Sequence, residues 1–393
     1  MNMVKLGEIA KIQYGYAFKS DNFISNAIPV IRIGDITEDG LIPDYNCCYP
    51  EMYWNEHPEC RLQKDAILIA MSGATVGKSC KNLSDNKFLL NQRVAAVNVN
   101  TQNVTNYIFY SIKSSAFKKY VEKASIGCAQ PNISGQQISN FMIPLRTKEE
   151  QEIIALRLEK IEQIIKNYKT VIQKYDTLIK SRFIEMFGDP TTNPMNWDTV
   201  NISTLLTDNA SNGFFAKRDE YTENGNVEVL GVVNIVNTMY SKIDSLPKTN
   251  ASEKDIKKYS VKYGDMLFCR SSLVAEGIGK ASIVPENINQ TVLFECHVIR
   301  LRLDLTKCVP EYMQMLSTTS YFRNQVLKHA KTSTMTTIGQ DGILKTDVRL
   351  PPIEKQKQFL TFIKQIDKSK FAVQKALEKT EILYKSLMQE YFG

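Results

Sequence analysis

A chain of 393 residues, 43% hydrophobic and 23% charged, is long enough for two or three domains with ordinary cores, and this composition excludes a predominantly disordered polypeptide. The net charge of +7 tolerates a polyanionic partner but falls short of a strongly basic signature, so charge alone does not assign nucleic-acid binding. No signal peptide opens the chain, and the longest apolar run, Ala66 to Met71, is far too short to span a bilayer. A cytoplasmic protein without membrane contact is expected.

Taken in order, the chain presents one unit twice. Val4, Leu6 and Ile9 lead to Gly15-x-x-x-Lys19, and Val200, Ile202 and Leu205 lead to Gly213-x-x-x-Lys217. Short β-branched runs follow, Val30 to Ile36 and Leu230 to Ile235, and both read as strands. Asp65-Ala66-Ile67-Leu68 and Asp265-Met266-Leu267-Phe268 then run into Ser- and Gly-containing loops that end Gly77-Lys78 and Gly279-Lys280. Strands from Arg93 to Val99 and from His297 to Leu303 precede a helical segment. In it Tyr107, Phe117 and Val121 match Tyr312, Phe322 and Val326, each 205 positions on. A loop of small polar residues comes next, Ser125 through Gln130, Asn132 and Ser134 in one copy and Lys331 through Thr337 in the other. Each unit closes on a proline step, Pro144 or Pro351-Pro352, because the residue before a proline avoids the helical region.

A long helix then begins. Ile154, Leu158, Ile161, Ile165, Tyr168, Ile172, Tyr175 and Ile179 alternate spacings of four and three, which is a heptad seam. The seam recurs in the same register at Phe359, Ile363, Ile366, Lys370, Val373, Leu377, Thr380 and Tyr384, then Leu387 and Tyr391, with two polar members in Lys370 and Thr380. Each copy is about 40 residues, roughly 60 Å at 1.5 Å per residue, without an internal Pro or Gly. Ile164, Val171 and Leu178 widen the first stripe, leaving apolar surface for a partner or for the helix's own domain. Gly188 is suited to end the first helix, and residues 189–194 carry linker-like turn chemistry.

The expected fold is therefore α+β. Two similar globular domains are separated by two long helices that pair as an antiparallel coiled coil, with a pseudo-two-fold internal repeat. The boundaries read as 1–146 for the first domain, 147–188 for the central helix, 189–351 for linker and second domain, and 352–393 for the C-terminal helix.

A search for reactive chemistry returns little. The eight cysteines contain no Cys-x-x-Cys pair, and reduced thiols are expected. His57-x-x-Cys60, with Cys47 and Cys48 upstream, is irregular and unrepeated, so no metal site is expected. Gly73-Ala74-Thr75-Val76-Gly77-Lys78-Ser79 resembles a phosphate-cradling loop but has three residues between its glycines where that motif has four. A loop between strands with Ser, Thr and Lys on a polar surface is the alternative. His57, His297 and His329 have no recognisable nucleophile partner, and no catalytic residue is assigned. What remains is a pair of polar-looped domains on a ruler. Roughly 60 Å of helix matches roughly 18 base pairs at 3.4 Å each, room for two readers about one turn of DNA apart.

At this point the chain resembles the specificity subunit of a type I restriction-modification system, over essentially its whole length. The features that carry this are the duplicated Val-x-Leu/Ile starts, the Gly-x-x-x-Lys turns and the Glu/Gln-rich helix starts, Thr147-Lys148-Glu149-Glu150-Gln151 and Pro352-Ile353-Glu354-Lys355-Gln356. Met186-Phe187-Gly188-Asp189-Pro190 running into Asn193-Pro194 adds to them. Arg146-Thr147 stands where a Pro-Pro often precedes the first helix. The resemblance implies a non-catalytic subunit in which each target recognition domain reads half of a split, asymmetric double-stranded DNA site. The helices would set the spacer and dock modification (methyltransferase) subunits, with restriction subunits joining through them. No cofactor is expected in this chain, S-adenosylmethionine and ATP belonging to the partners, and the isolated chain is expected to be a monomer.

Residues with donors suited to base edges and phosphates are Lys19, Ser72, Thr75, Lys78, Gln92, Arg93, Gln130 and Asn132 in the first half. In the second they are Lys217, Arg270, Ser271, Ser272, Lys280, Thr334 and Thr336. Arg93 could equally be an internal ion-pair partner. The competing readings are a coiled-coil scaffold with two repeated protein-binding domains and a nucleotide-binding enzyme built on the Gly73 loop.

Overall fold

The structure, a computed structural model, describes residues 2–125, 130–332 and 335–393. The chain divides into two compact units, Met1–Thr170 with Gln374–Gly393, and Val171–Val373. Among the described residues no helix is long and apolar enough to cross a membrane.

In the first unit the apolar runs form a four-stranded antiparallel sheet with neighbours in the order Ala10–Tyr14, Val94–Val99, Ile67–Ala70 and Ser79–Lys81. Strand alternation sends Ile67, Ile69, Ala95 and Val97 to one face and Leu68, Ala70, Val94 and Ala96 to the other. Both faces are covered, which is why these strands read as uninterrupted apolar runs. The first face packs on Tyr107, Ile108, Phe117 and Val121, together with Ile154 and Leu158 of the first long helix and Tyr391 and Phe392 of the second. A smaller sheet joins Cys48–Tyr49, Ile28–Ile31 and Leu89–Leu90, and Asn2–Lys5 pairs with Met142–Leu145.

The second unit has the same topology. Its four-stranded sheet runs Ser211–Asn212, Val298–Arg302, Asp265–Cys269, Ala281–Ile283, its smaller sheet Lys248–Thr249, Val227–Leu230, Val292–Phe294, and Asp198–Asn201 pairs with Asp347–Leu350. Two expected strands are shorter than read. Val30 to Ile36 is strand through Ile31 and again at Ile36, broken by a 3-10 turn, Ile33–Asp35, because the Asp35 carboxylate accepts the Arg32 N–H at 2.7 Å. Leu230 to Ile235 becomes a helical turn, Val232–Ile235, where the Asn234 side chain takes the Gly231 N–H at 3.0 Å and Glu295 takes that of Val232 at 2.7 Å.

The long helices span Lys148–Phe187 and Ile353–Phe392. Every seam residue named above is buried or half-buried. Within the first unit Arg157 reaches the Tyr391 hydroxyl (3.2 Å), Glu162 accepts from that of Tyr384 (2.9 Å) and Lys169 pairs with Glu381 (3.3 Å), so the two segments run antiparallel. Within the second unit the same sense holds, with Lys370 on Asp176 at 2.5 Å and Phe183 and Phe187 against Phe359. The polar seam members are thereby satisfied: Lys370 by Asp176, and Thr380 by donating to the Ala376 carbonyl at 2.8 Å.

The helix starts differ in detail. Pro144 lies inside an edge strand, opposite Met3, rather than at a helix start. The first helix is instead capped by Thr147, whose hydroxyl accepts the Glu150 N–H (3.3 Å) while Glu150 accepts that of Thr147 (2.9 Å). Inside each start a glutamine is buried. Gln151 accepts the Val104 N–H at 2.9 Å and donates to the Arg146 carbonyl at 3.0 Å, and Gln356 accepts the Val309 N–H at 2.8 Å and donates to the Pro351 carbonyl at 2.8 Å. Gly188 ends the first helix at φ 76°, a left-handed conformation that favours glycine.

Gln356→Leu leaves a buried backbone N–H, and Gln151→Leu a half-buried one, without its side-chain partner. Each is expected to cost about 2 kcal/mol, read as a lowered urea midpoint at unchanged slope.

Glu162 joins three elements, accepting from Lys113 (2.6 Å), Tyr110 (2.9 Å) and Tyr384 (2.9 Å). Burial pushes its carboxyl up, but Lys113 and the two hydroxyls outweigh burial and hold it below the usual glutamate range. A carboxylate held low in the folded state adds stability above its unfolded value, and that stability is lost as pH falls through the lowered one. Glu162→Gln should therefore cost about 1–2 kcal/mol at neutral pH, with the gap to wild type closing as pH drops below the glutamate range. A gap that ignores pH would show that charge is not what joins the three elements.

Candidate nucleic-acid interface

Antiparallel order brings the end of Ala10–Tyr14, the start of Val94–Val99, the end of Ile67–Ala70 and the start of Ser79–Lys81 to one edge of the first unit's main sheet. The segments leaving that edge are stitched by backbone. Tyr16 N–H donates to Leu90 (2.9 Å), Gln92 to Tyr16 (2.9 Å), Met71 to Arg93 (2.9 Å), Gly73 to Pro131 (3.0 Å), Ile133 to Met71 (2.9 Å) and Gly77 to Ala70 (2.9 Å). The glycine of the Gly-x-x-x-Lys turn is required here, since a Cβ on Gly15 would sit 1.9 Å from the Leu90 carbonyl oxygen.

This stitching gathers Ser72, Thr75, Lys78, Gln92, Arg93 and Asn132 at one sheet end, with Gln130 beside Pro131. Lys78, Gln92, Arg93, Gln130 and Asn132 are exposed, and so is Lys19, farther along the Tyr16 segment. Among the described residues the Arg93 guanidinium makes no ion pair, so it is not the internal partner considered above. Ser72 and Thr75 depart from the expectation of a polar surface: both are half-buried, and their hydroxyl oxygens are shielded without a protein partner among the described residues. The Gly73 loop is a 3-10 turn, Gly73–Thr75, that leads into a strand. A phosphate loop leads into a helix whose amides converge on the anion.

The second unit repeats four of these six bonds. Phe214 N–H donates to Phe294 (2.7 Å), Arg270 to His297 (2.9 Å), Ile338 to Arg270 (3.0 Å) and Gly279 to Cys269 (2.8 Å), and a Cβ on Gly213 would lie 2.2 Å from the Phe294 and Glu295 carbonyl oxygens. Lys217 is exposed. Ser271 and Ser272 are half-buried in a short strand opposite Thr337 and Thr336. Arg270 is tied to the Cys296 carbonyl (3.0 Å) and Lys280 to the Asn237 side chain (2.7 Å), so both brace the loops. Thr336 is buried, its hydroxyl engaged with that of Thr332 at 3.1 Å, and it cannot serve as an exposed reader. Thr334 lies outside the described residues.

Several residues at these edges escaped the sequence reading. Tyr14 and Tyr16 flank Gly15 and are exposed, with Tyr16 stacked on His57 at 4.2 Å. His297, Phe215, Leu273 and Val274 are exposed at the second edge. The Tyr-Gly-Tyr triplet was a usable signal, whereas a lone Leu or Phe in a loop is not. The thiols near the edges are not activated: burial pushes Cys60 up to about 11 and raises Cys269 and Cys296 as well. Among the described residues no group of three or more His, Cys, Asp and Glu could hold a metal ion.

The family profile of the type I restriction modification DNA specificity domain matches residues 1–174 and again 194–383. The chain is 22% identical to the type I restriction enzyme EcoBI specificity subunit of Escherichia coli, over 99% of this chain and 85% of that one. It is 23% identical to the EcoKI specificity subunit of Escherichia coli K12, over 84% and 75%. With the MjaVIII specificity subunit of Methanocaldococcus jannaschii it shares 30% over 168 residues, 42% of this chain but only 40% of the relative's length. In structure it is similar to the S subunit of a type I restriction-modification system from M. genitalium (TM-score 0.60, 12% identity, 100% of this chain and 96% of that one). A second solved chain, from work on complex assembly and conformational transition of the type I system, matches at TM-score 0.58 with 13% identity, over 100% and 97%. Such identities speak for the fold, while the profile covers most of the sequence in two copies. The chain belongs to the family of type I restriction-modification DNA specificity subunits and has a DNA sequence-specificity role.

Proposed function

We propose that this chain recognises a bipartite, asymmetric double-stranded DNA target, each unit's loop-bearing sheet edge reading one half, and performs no bond chemistry itself. The observation that carries this is the repetition of one backbone frame with different side chains at equivalent places: Met71, Gln92 and Arg93 on one copy, Arg270, Cys296 and His297 on the other. A frame held by backbone bonds fixes where donors stand, and the side chains decide which base edges they meet. Methyl transfer with S-adenosylmethionine and ATP-dependent cleavage would belong to modification and restriction subunits.

Docking of modification subunits is assigned to the long helices, which pair as an antiparallel coiled coil in this reading. The first helix exposes Ile153, Leu156 and Ile164 in the first unit and Leu178 and Ile184 in the second, apolar side chains that neither core covers. In the isolated chain the seam is satisfied internally, and a monomer is expected by light scattering.

Co-purification with the adjacent-gene modification subunits, followed by mapping of methylated adenines, should yield a split site. Exchange of residues 1–145 for those of another specificity subunit should change one half only. A continuous target, or a change in both halves, would overturn the proposal. Ile164→Glu, at an exposed position, should leave unfolding stability within about 0.5 kcal/mol of wild type while weakening association with modification subunits at least tenfold. Unchanged association would move the docking surface elsewhere.

A further inference from the structure

The two sheet edges share a frame but not a chemistry. Between the paired residues Ala70 and Gly77 the first unit's loop advances seven positions, and between the equivalent Cys269 and Gly279 the second advances ten, so the second loop is three residues longer. Both loops pass through a 3-10 turn two residues before that glycine, Gly73–Thr75 and Ala275–Gly277, and the extra stretch ahead of the second turn carries Leu273 and Val274, 83% and 59% exposed. On the neighbouring segment Phe215, 67% exposed, stands where the first unit has Ala17. The second edge thus presents three large apolar side chains, one where the first has Ala17 and two on a stretch that the first lacks.

Such side chains serve no core and cost solubility, and the edge that bears them also bears the exposed Lys217 and, half-buried, Lys280, which suits a ligand that is anionic and carries an accessible apolar group. Duplex DNA offers one such group in the major groove, the thymine C5 methyl; every other distinguishing feature there is a hydrogen-bond donor or acceptor. Leucine can neither donate nor accept. Resting on the specificity reading above, we infer that Leu273 is a specificity-determining residue that selects thymine in the half-site read by the second unit, through contact with its methyl group. Its neighbour Val274, and Phe215 on the adjacent segment of the same sheet end, add apolar surface to that edge.

The test uses the full chain with its modification subunits and synthetic duplexes of the mapped target, each thymine replaced in turn by deoxyuridine, which removes the methyl alone. At one or more thymines of a single half-site, wild type should lose about fourfold in affinity, the worth of one buried carbon. Leu273→Ser should bind the unsubstituted duplex about fourfold more weakly and be indifferent to uracil at those positions. Its melting temperature should match wild type, since the side chain is exposed. A uracil response that Leu273→Ser leaves intact would overturn the inference, as would no response at any thymine, or a half-site without thymine on either strand. So would a Leu273-dependent rise in 2-aminopurine fluorescence, which would make the side chain a wedge between base pairs. Failure of wild type to prefer its target over a scrambled duplex would instead fell the specificity reading, and this inference with it.

Discussion

Each long helix is tied to its globular unit by a buried amide that has to find several partners at once. Gln151 and Gln356 each bridge the N–H of the residue that caps a core helix, Val104 or Val309, and the carbonyl that follows the strand before the long helix, and Gln151 also donates to the Asn103 side chain at 2.9 Å. An unsatisfied buried amide costs on the order of a hydrogen bond or more. The amide thus joins the start of the long helix to the core helix beside it. Tyr107 and Tyr312 reinforce it by donating to the carbonyls of Pro144 and Arg349, both at 2.7 Å.

From that joint the division of labour follows. The sheets and their helices carry stability through cores buried on both sheet faces. The sheet edges are held mainly by backbone bonds, with Gly15 and Gly213 required by close approach and Arg270, Lys280 and Thr336 bracing the second unit's loops. Loop residues are therefore free to differ between the copies, and a shared frame can present polar donors in one and apolar atoms in the other.

The heptad seam and the duplication were legible because both are periodic, and periodicity survives without knowledge of the fold. The short strands around Val30 and Leu230 were misjudged because single side chains, Asp35, Asn234 and Glu295, redirect the backbone through bonds that composition does not reveal. The polar seam position Lys370 looked like a flaw until the antiparallel register set Asp176 beside it. At the sheet edges residue type identified donors, but not which were spent: Arg270, Lys280 and Thr336 hold loops in place, while Gln92 and Arg93 stand free. Exposure is a property of the assembled sheet end and has no local signal.

The first unit is made of Met1–Thr170 and Gln374–Gly393, and its core includes Tyr391 and Phe392. It is therefore discontinuous in sequence, whereas the second unit, Val171–Val373, is not. On a ribosome adding about 5–20 residues per second, the nascent first unit waits roughly 10–40 s for its closing segment, and the second can complete its core before the first does. The order of completion is thus the reverse of the order of synthesis. The segment Gln374–Gly393 closes a core that the first 170 residues begin.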